Sequence, residues 1–391
     1  MNTYPQTFYD LLSAGLGANG NRELQGFLDD ILARKYNELN LAGFPFASDM
    51  LIDFTYEQVR KELKMNVMAT YVDIDSPAIP IGTEGAQLQT GKIPRMKMVE
   101  YLNEDKIRKQ IILEQRFGAT SNRAKQAALR SLFVTTDNLV GGHTNSLTYQ
   151  RHQIVSTGQF ALTNTNNPRG IKDVFAAHIP TGNVKTKTSN DRWWTALSNG
   201  VYSSEGNSCD PIQDLKDMVD TLEGKGVSAM HFEIDKLYAK QVINHSKIKT
   251  AIGYYLNPES TAPTTLAGNL TFERKFEILG DLVGAPFVIQ DSIVAVESFN
   301  KTTKELERTQ IRSFEANVIV LVPDGNLGET LTVEPIALEG GTYASMFGGR
   351  LLMTVGYDYI KKIQSFNTEM TSLVVPDKPH LMFYLHPYAK S

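Results

Sequence analysis

The stretch from Asn66 to Tyr101, NVMATYVDIDSPAIPIGTEGAQLQTGKIPRMKMVEY, constrains the fold most, because it reads as two strand limbs with too little between them to bury. Val72 and Ile74 alternate with Tyr71, Asp73 and Asp75 on the way out. Met96 and Met98 alternate with Arg95, Lys97 and Val99 on the way back, the period of a half-covered strand. Folded back, the segment sets Asp73 against Lys97, Asp75 against Arg95, Ile74 against Met96 and Val72 against Met98, so charge and apolarity match in one register. The tip, from Ser76 to Gly91, is polar and interrupted by Pro77, Pro80, Gly82 and Gly85. A two-stranded ribbon is marginal alone in water, so the arm must lie on something, either its own substrate site as a lid or a neighbouring subunit.

Helical patterns follow. Asn103 caps a helix opened by Glu104 and Asp105, with Ile107, Ile111, Ile112 and Leu113 running to Phe117 and a stop at Gly118. A second helix is expected from Ser121 to Phe133. A third starts near Asp137, where Gly141 and Gly142 weaken it, and continues to Phe160 as roughly 35 Å of rod. Its apolar seam of Val140, His143, Leu147, Ile154 and Val155 is narrow, so one side alone faces a core.

This order of parts resembles the lambda-type major capsid proteins of tailed bacteriophages. The resemblance is carried by Tyr71-Val72-Asp73-Ile74-Asp75-Ser76-Pro77, the return Lys92-Ile93-Pro94-Arg95-Met96-Lys97, Asn103-Glu104-Asp105, Asp210-Pro211-Ile212 and Val320-Leu321-Val322-Pro323-Asp324-Gly325-Asn326-Leu327-Gly328. It implies an α+β chain with the HK97-like capsid fold: an N-terminal arm at 1–50, an extended β-hairpin loop at 51–101 and a peripheral domain with a long spine helix at 102–205. An axial domain at 206–334 and a return to the peripheral domain at 335–391 complete it. The implied function is a major capsid protein that self-assembles into hexamers and pentamers of an icosahedral head enclosing double-stranded DNA. Asp73, Asp75, Arg95 and Lys97 would then fix the register of the inter-subunit arm. The implied partners are further copies of the chain, portal, scaffold and decoration proteins, and packaged DNA held without sequence specificity; the implied location is the virion, assembled in the host cytoplasm. An encapsulin-like nanocompartment shell and an intracellular enzyme with residues 66–101 as its lid are the alternatives.

Composition agrees with a shell that encloses nucleic acid without gripping it. With 391 residues, 41% of them hydrophobic, the chain can build two cored domains. A net charge of −4 argues against a broad basic binding surface. The single Cys209 excludes an internal disulfide and fits a reducing compartment. The opening MNTYPQTFYD lacks a signal-peptide pattern, and no apolar run of about 18 residues suggests a membrane span.

Further along, Thr163 to Thr188 reads as irregular strands and a crossover, and Trp193-Trp194 as packing. Asp210 and Pro211 start a helix with Ile212, Leu215, Met218, Val219 and Leu222 on one face, stopped by Gly224 and Gly226. Met230, Phe232 and Ile234 alternate as a strand, after which Asp235 caps a short helix; Thr271 caps another through Phe272, Phe276, Leu279 and Leu282. Residues 286–289 and 293–296 are expected as a hairpin about Gln290-Asp291-Ser292. Residues 317–322, NVIVLV, form a buried strand, with further strands near Leu351 to Val355 and Leu381 to Leu385. The charge run from Asn300 to Arg312 reads as a solvated loop or helix face, or more sharply as a capsomer contact.

Motifs for chemistry are weak. Gly15-Leu-Gly-Ala-Asn-Gly20 matches a dinucleotide fingerprint but follows a helical pattern instead of a strand, which makes a hinge the better reading. His231, Glu233 and His245 lack metal-ligand spacing and read as ordinary polar positions. Cys209 has no histidine near it in sequence and reads as an inert small residue. Three Asn-X-Ser/Thr triplets, at Asn244, Asn269 and Asn300, have no chemistry without secretion. The expectation is therefore a structural protein with no catalytic residues, cofactor or metal.

Overall fold

The computed structural model describes residues 39, 41–61, 86–102, 122–188, 191–198, 201–206, 208–300, 305–336, 343–347, 349–358 and 363–388. Asp73, Asp75, residues 76–85 of the expected tip, the helix expected at 103–117 and the Gly15–Gly20 motif lie outside these residues, while 86–91 of that tip are strand. The chain divides into two compact units, one of Met1–Tyr56, Gly91–Thr148 and Glu329–Val374, the other of Glu57–Thr90, Tyr149–Gly328 and Val375–Ser391.

Strand β1 (Thr55–Lys61) pairs with β2 (Ala86–Lys92) as a two-stranded ribbon. Its root is closed by the Ile93 N–H, which donates to the Phe54 carbonyl at 2.8 Å, with Tyr56 and Ile93 buried beside it. The ribbon thus starts earlier than expected. Its returning limb ends at Lys92, and Pro94, which has no N–H to give a ladder, separates it from β3 (Arg95–Leu102). The alternation read from the sequence holds in β3, where Arg95, Lys97, Val99 and Tyr101 are exposed while Met96, Met98 and Glu100 are half-buried.

Instead of returning along the ribbon, β3 joins the sheet of the first unit by running antiparallel to β17 (Ile363–Pro376). The remaining order is β14 (Gly328–Val333), β17, β16 (Leu351–Asp358) and β15 (Tyr343–Phe347). At 14 residues, β17 is long enough to hold β3 along Gln364–Thr371 and still reach β14, where the Thr332 and Ser372 hydroxyls meet at 3.1 Å.

Helix α1 (Asn122–Thr157) has 36 residues, about 54 Å of rod, and fuses the second and third helices expected from the sequence. Val134, Thr135, Thr136 and Asp137 are poor helix formers, but none lacks an N–H or needs a left-handed backbone, so the helix passes through them. It stops at Thr157, before Phe160, because Gly158 turns to φ 70°. In the first unit Val140, His143 and Leu147 are buried, and the His143 Nε2 lies 3.0 Å from the Thr368 hydroxyl of β17. The helix approaches the sheet so closely at Gly142 that a Cβ there would come within 2.0 Å of the Met98 sulfur.

The second unit is built on a sheet of order β10 (Phe287–Gln290), β9 (Met230–Asp235), β13 (Ile319–Pro323), β18 (Phe383–His386) and β6 (Val184–Thr186). β9 is parallel to β10, β18 is parallel to β6, and β13 runs antiparallel to both β9 and β18. Phe232, Ile234, Ile319, Leu321, Phe383 and Leu385 share one core with residues of α2 (Pro211–Glu223), α3 (Lys236–Val242), α4 (Ser246–Leu256), α5 (Pro263–Gly268) and α6 (Phe272–Val283). Each fully buried Leu, Ile or Phe of such a core is worth about 1.5–3 kcal/mol.

The expected caps are present. Asp210 accepts from the Gln213 N–H, Asp235 from those of Leu237 and Tyr238, and Thr271 from that of Arg274. Gly284 closes α6 at φ 89°, a conformation in which glycine carries no Cβ penalty. Trp193 and Trp194 are buried in the same core, with the Trp193 Nε1 donating to Asp214 at 2.8 Å.

Two expectations fail here. Residues 286–296 do not form a hairpin: β10 pairs with β9, where Phe287 stacks on Phe232 at 4.7 Å, and the chain changes sheet at Asp291. The described part of the run 300–312 is neither loop nor helix, because Glu305–Arg312 forms strand β12, antiparallel to β11 (Ile293–Asn300) in a second two-stranded ribbon. Two hairpins, β4 (Gln159–Leu162) with β5 (Asp173–Ala176) and β7 (Trp194–Ser198) with β8 (Val201–Glu205), complete the unit. Strand β18 pairs with β13, and Val375–Ser391 falls in the second unit.

Candidate assembly surfaces

Beside the root of the first ribbon, the exposed face of β3 carries a small charge cluster. The Arg95 guanidinium and the Lys97 ammonium both reach the Glu369 carboxylate of β17, the latter at 3.0 Å, because the ladder sets Lys97 against Glu369 and Arg95 against Thr371. Two of the four residues predicted to fix the arm thus share a carboxylate that the sequence reading did not name, while Asp73 and Asp75 lie outside the described residues. Arg95 and Lys97 are 45% and 60% exposed, so each contact contributes no more than about 1 kcal/mol, and its value is geometric. Val99 and Tyr101 follow on the same exposed face, at 44% and 55%.

The second ribbon is held differently. At its root Arg312 donates to Asp235 at 2.5 Å and to Asp291 at 3.0 Å, and Lys236 also pairs with Asp291. Those two cations hold the Asp291 carboxyl below its ordinary range. The next residue, Ser313, is gripped on all sides: its N–H donates to the Ser292 carbonyl at 3.0 Å, its carbonyl accepts from the Gln153 amide at 2.8 Å, and its hydroxyl lies 2.6 Å from the His152 Nδ1. Away from this root, all six residues of β12 from Glu305 to Gln310 are exposed. The ribbon is an anchored arm with a bare outer edge among the described residues.

Behind it lies a buried ionic network that alternation alone did not reveal. Glu233 accepts from Arg151 of α1 at 2.6 and 3.1 Å and from Gln290 at 2.8 Å, while His231 bridges toward Glu233 at 3.5 Å and Asp324 at 2.5 Å. Burial alone would push the Glu233 carboxyl up, but the His231 hydrogen bond and the Arg151 guanidinium outweigh it and hold it at about 2. The hydrogen bond to Glu233 raises His231 above its ordinary value against the cost of burial. Every polar partner here is internal, so the cluster fastens α1 to the sheet and gives a ligand no converging groups.

Cys209 does have a histidine near it in space, the His245 Nε2 at 3.8 Å, which sequence distance concealed. That nitrogen is also 3.0 Å from the Trp193 carbonyl, the thiol donates to the Gly206 carbonyl at 3.0 Å, and burial pushes the thiol up and the imidazole down. The thiol stays protonated and enclosed, a poor nucleophile.

The sequence profile of the family described as phage major capsid protein E matches residues 46–380 of the chain. No curated protein matches it. Among solved structures, it is similar to a putative capsid protein of a prophage of E. coli CFT073, at 12% identity over 93% of this chain and 98% of that one, with a TM-score of 0.46. A phage-related protein from Bordetella bronchiseptica RB50 is 12% identical over 94% and 96%, with a TM-score of 0.45. The mature capsid of bacteriophage PhiM1 is 10% identical over 88% and 85%, with a TM-score of 0.43.

Proposed function

The chain belongs to the phage major capsid protein E family, and from that premise we propose that its copies close into hexamers and pentamers of an icosahedral head around double-stranded DNA. The family match over residues 46–380 carries this reading. Two ribbons with little to bury between their own strands agree with it, since each gains stability from a cover. Membership in a capsid family makes this a shell protein, whose work lies in contacts between copies: many weak contacts made cooperative by closed symmetry.

The first ribbon reaches across an adjacent subunit. Arg95 and Lys97, already joined through Glu369, form a cluster of two cations and one carboxylate that Asp73 and Asp75 complete, fixing the arm's register. Portal, scaffold and decoration proteins join the shell from outside this chain, and assembly takes place in the host cytoplasm. With a net charge of −4, contact with packaged DNA is weak and independent of base sequence. Size-exclusion chromatography with negative-stain microscopy of the full chain tests the proposal. Capsomers or closed shells are expected, and a product that stays monomeric under every assembly condition overturns it.

A further inference from the structure

His231 stands between two carboxylates, and each of its ring nitrogens faces one. Its Nδ1 lies 2.5 Å from Asp324 and its Nε2 lies 3.5 Å from Glu233. An imidazolium carries a proton on both nitrogens and can serve both carboxylates. A neutral ring carries one proton, so its bare nitrogen points a lone pair at an anion. The position therefore fits the charged ring. The pull of Glu233, and after it that of Asp324, raises the ring's proton affinity against the cost of burial.

The two carboxylates are held unequally. Glu233 is fully enclosed, and Arg151 of α1 and the Gln290 amide of β10 cover both its oxygens whether or not His231 donates. His152 of α1 and Tyr384 of β18 are the other titratable groups that feel its charge. Asp324 is half-exposed, and His231 is its one cationic partner among the described residues. It opens a turn in which Gly325 takes φ 88°. Backbone bonds tie this turn elsewhere: the Asp324 N–H donates to the Ala229 carbonyl and the Asp377 N–H to the Leu327 carbonyl, both at 3.0 Å. The Lys378 Nζ reaches the Asn326 carbonyl at 3.1 Å. When the ring can serve only one carboxylate, the one free to move away is therefore Asp324.

We propose that His231 is a proton-operated clasp: charged, it draws the turn at residues 324–327 onto β9, and neutral, it releases that turn while Glu233 stays bound to Arg151. The folded-state proton affinity of the ring is raised, so the clasp is complete below about pH 6.5 and is lost as pH rises through the raised value. It acts within one subunit, so its test is independent of shell formation.

Hydrogen exchange read by mass spectrometry on the full chain, from pH 6 to pH 9, tests the clasp. Rates in the 324–328 segment are corrected for the intrinsic pH dependence of amide exchange. In the parent they should rise about tenfold, the factor that one unit of raised proton affinity corresponds to. In His231→Gln, which cannot titrate, and in Asp324→Asn, whose neutral amide does not repel a neutral ring, the corrected rates should stay flat. A flat parent profile, or the same rise in His231→Gln, overturns the proposal. If circular dichroism shows that His231→Gln disturbs the fold, Asp324→Asn on the half-exposed turn decides, and an undiminished rise there overturns it.

Discussion

His143 and His152 lie on the same helix, and burial holds both imidazoles down at about 4, with the neighbouring Arg151 charge adding to the effect at His152. Each takes up its proton more readily in the unfolded chain, so its contribution to stability is complete above about pH 6.5 and is lost as pH falls toward 4. Between pH 7 and pH 5, urea denaturation should show a loss of roughly 2 kcal/mol for each. His143→Gln should flatten that slope, because the His143 Nδ1 has no hydrogen-bond partner among the described residues and a proton there would add charge to a buried ring. Two helical glycines should respond in opposite ways. Gly141 faces open space, so Gly141→Ala should add about 0.5–1 kcal/mol. A Cβ at Gly253 would meet the Pro263 carbonyl oxygen at 2.1 Å, so Gly253→Ala should lose about 1–3 kcal/mol, both effects read by thermal melting. From sequence, Gly141 and Gly142 looked equally harmful to the helix; only the approach of Met98 separates them.

Among the elements, caps and stops were the most legible, because Asp210, Asp235, Thr271 and Gly224 act through atoms within a few residues of themselves, whereas the glycine that closes α6, Gly284, was not singled out. Strand β9 was half legible. Met230, Phe232 and Ile234 are buried as alternation requires, but Glu233 and Asp235 are buried too, since the sheet is covered on both faces. The clue lay in the neighbouring NVIVLV segment, whose strand is buried at all five positions and leaves no wet face beside it. The Arg151–Glu233 pair that results is a sensitive joint. Arg151→Leu alone should cost about 3–5 kcal/mol by stranding a buried carboxylate, whereas Arg151→Leu with Glu233→Leu should cost clearly less. Denaturant titration of the four proteins in that cycle measures the difference, and equal losses for single and double variants would refute the coupling.

For the molecule as a whole, the α+β class, the long helix and a two-stranded ribbon ahead of it were readable, because periodicity and turn residues report local structure. The ribbon's actual limbs, the destination of β3 and the second ribbon were not, since pairing partners such as Thr368 for Met98 lie far away in sequence. Removing residues 62–85, which connect β1 to β2 in sequence, and joining the two strands by a short glycine linker should leave a folded subunit with a native melting profile that fails to form stable shells. Normal particles from that variant would show the segment is dispensable. One more consequence follows from the order of the five-stranded sheet, in which Val184 pairs with Tyr384 and β18 is wedged between β6 and β13. Neither flanking strand meets the other, so the ladder closes only once Val184 and Tyr384, 200 positions apart in sequence, have come together, a distant rendezvous that should make this sheet the slow step of folding.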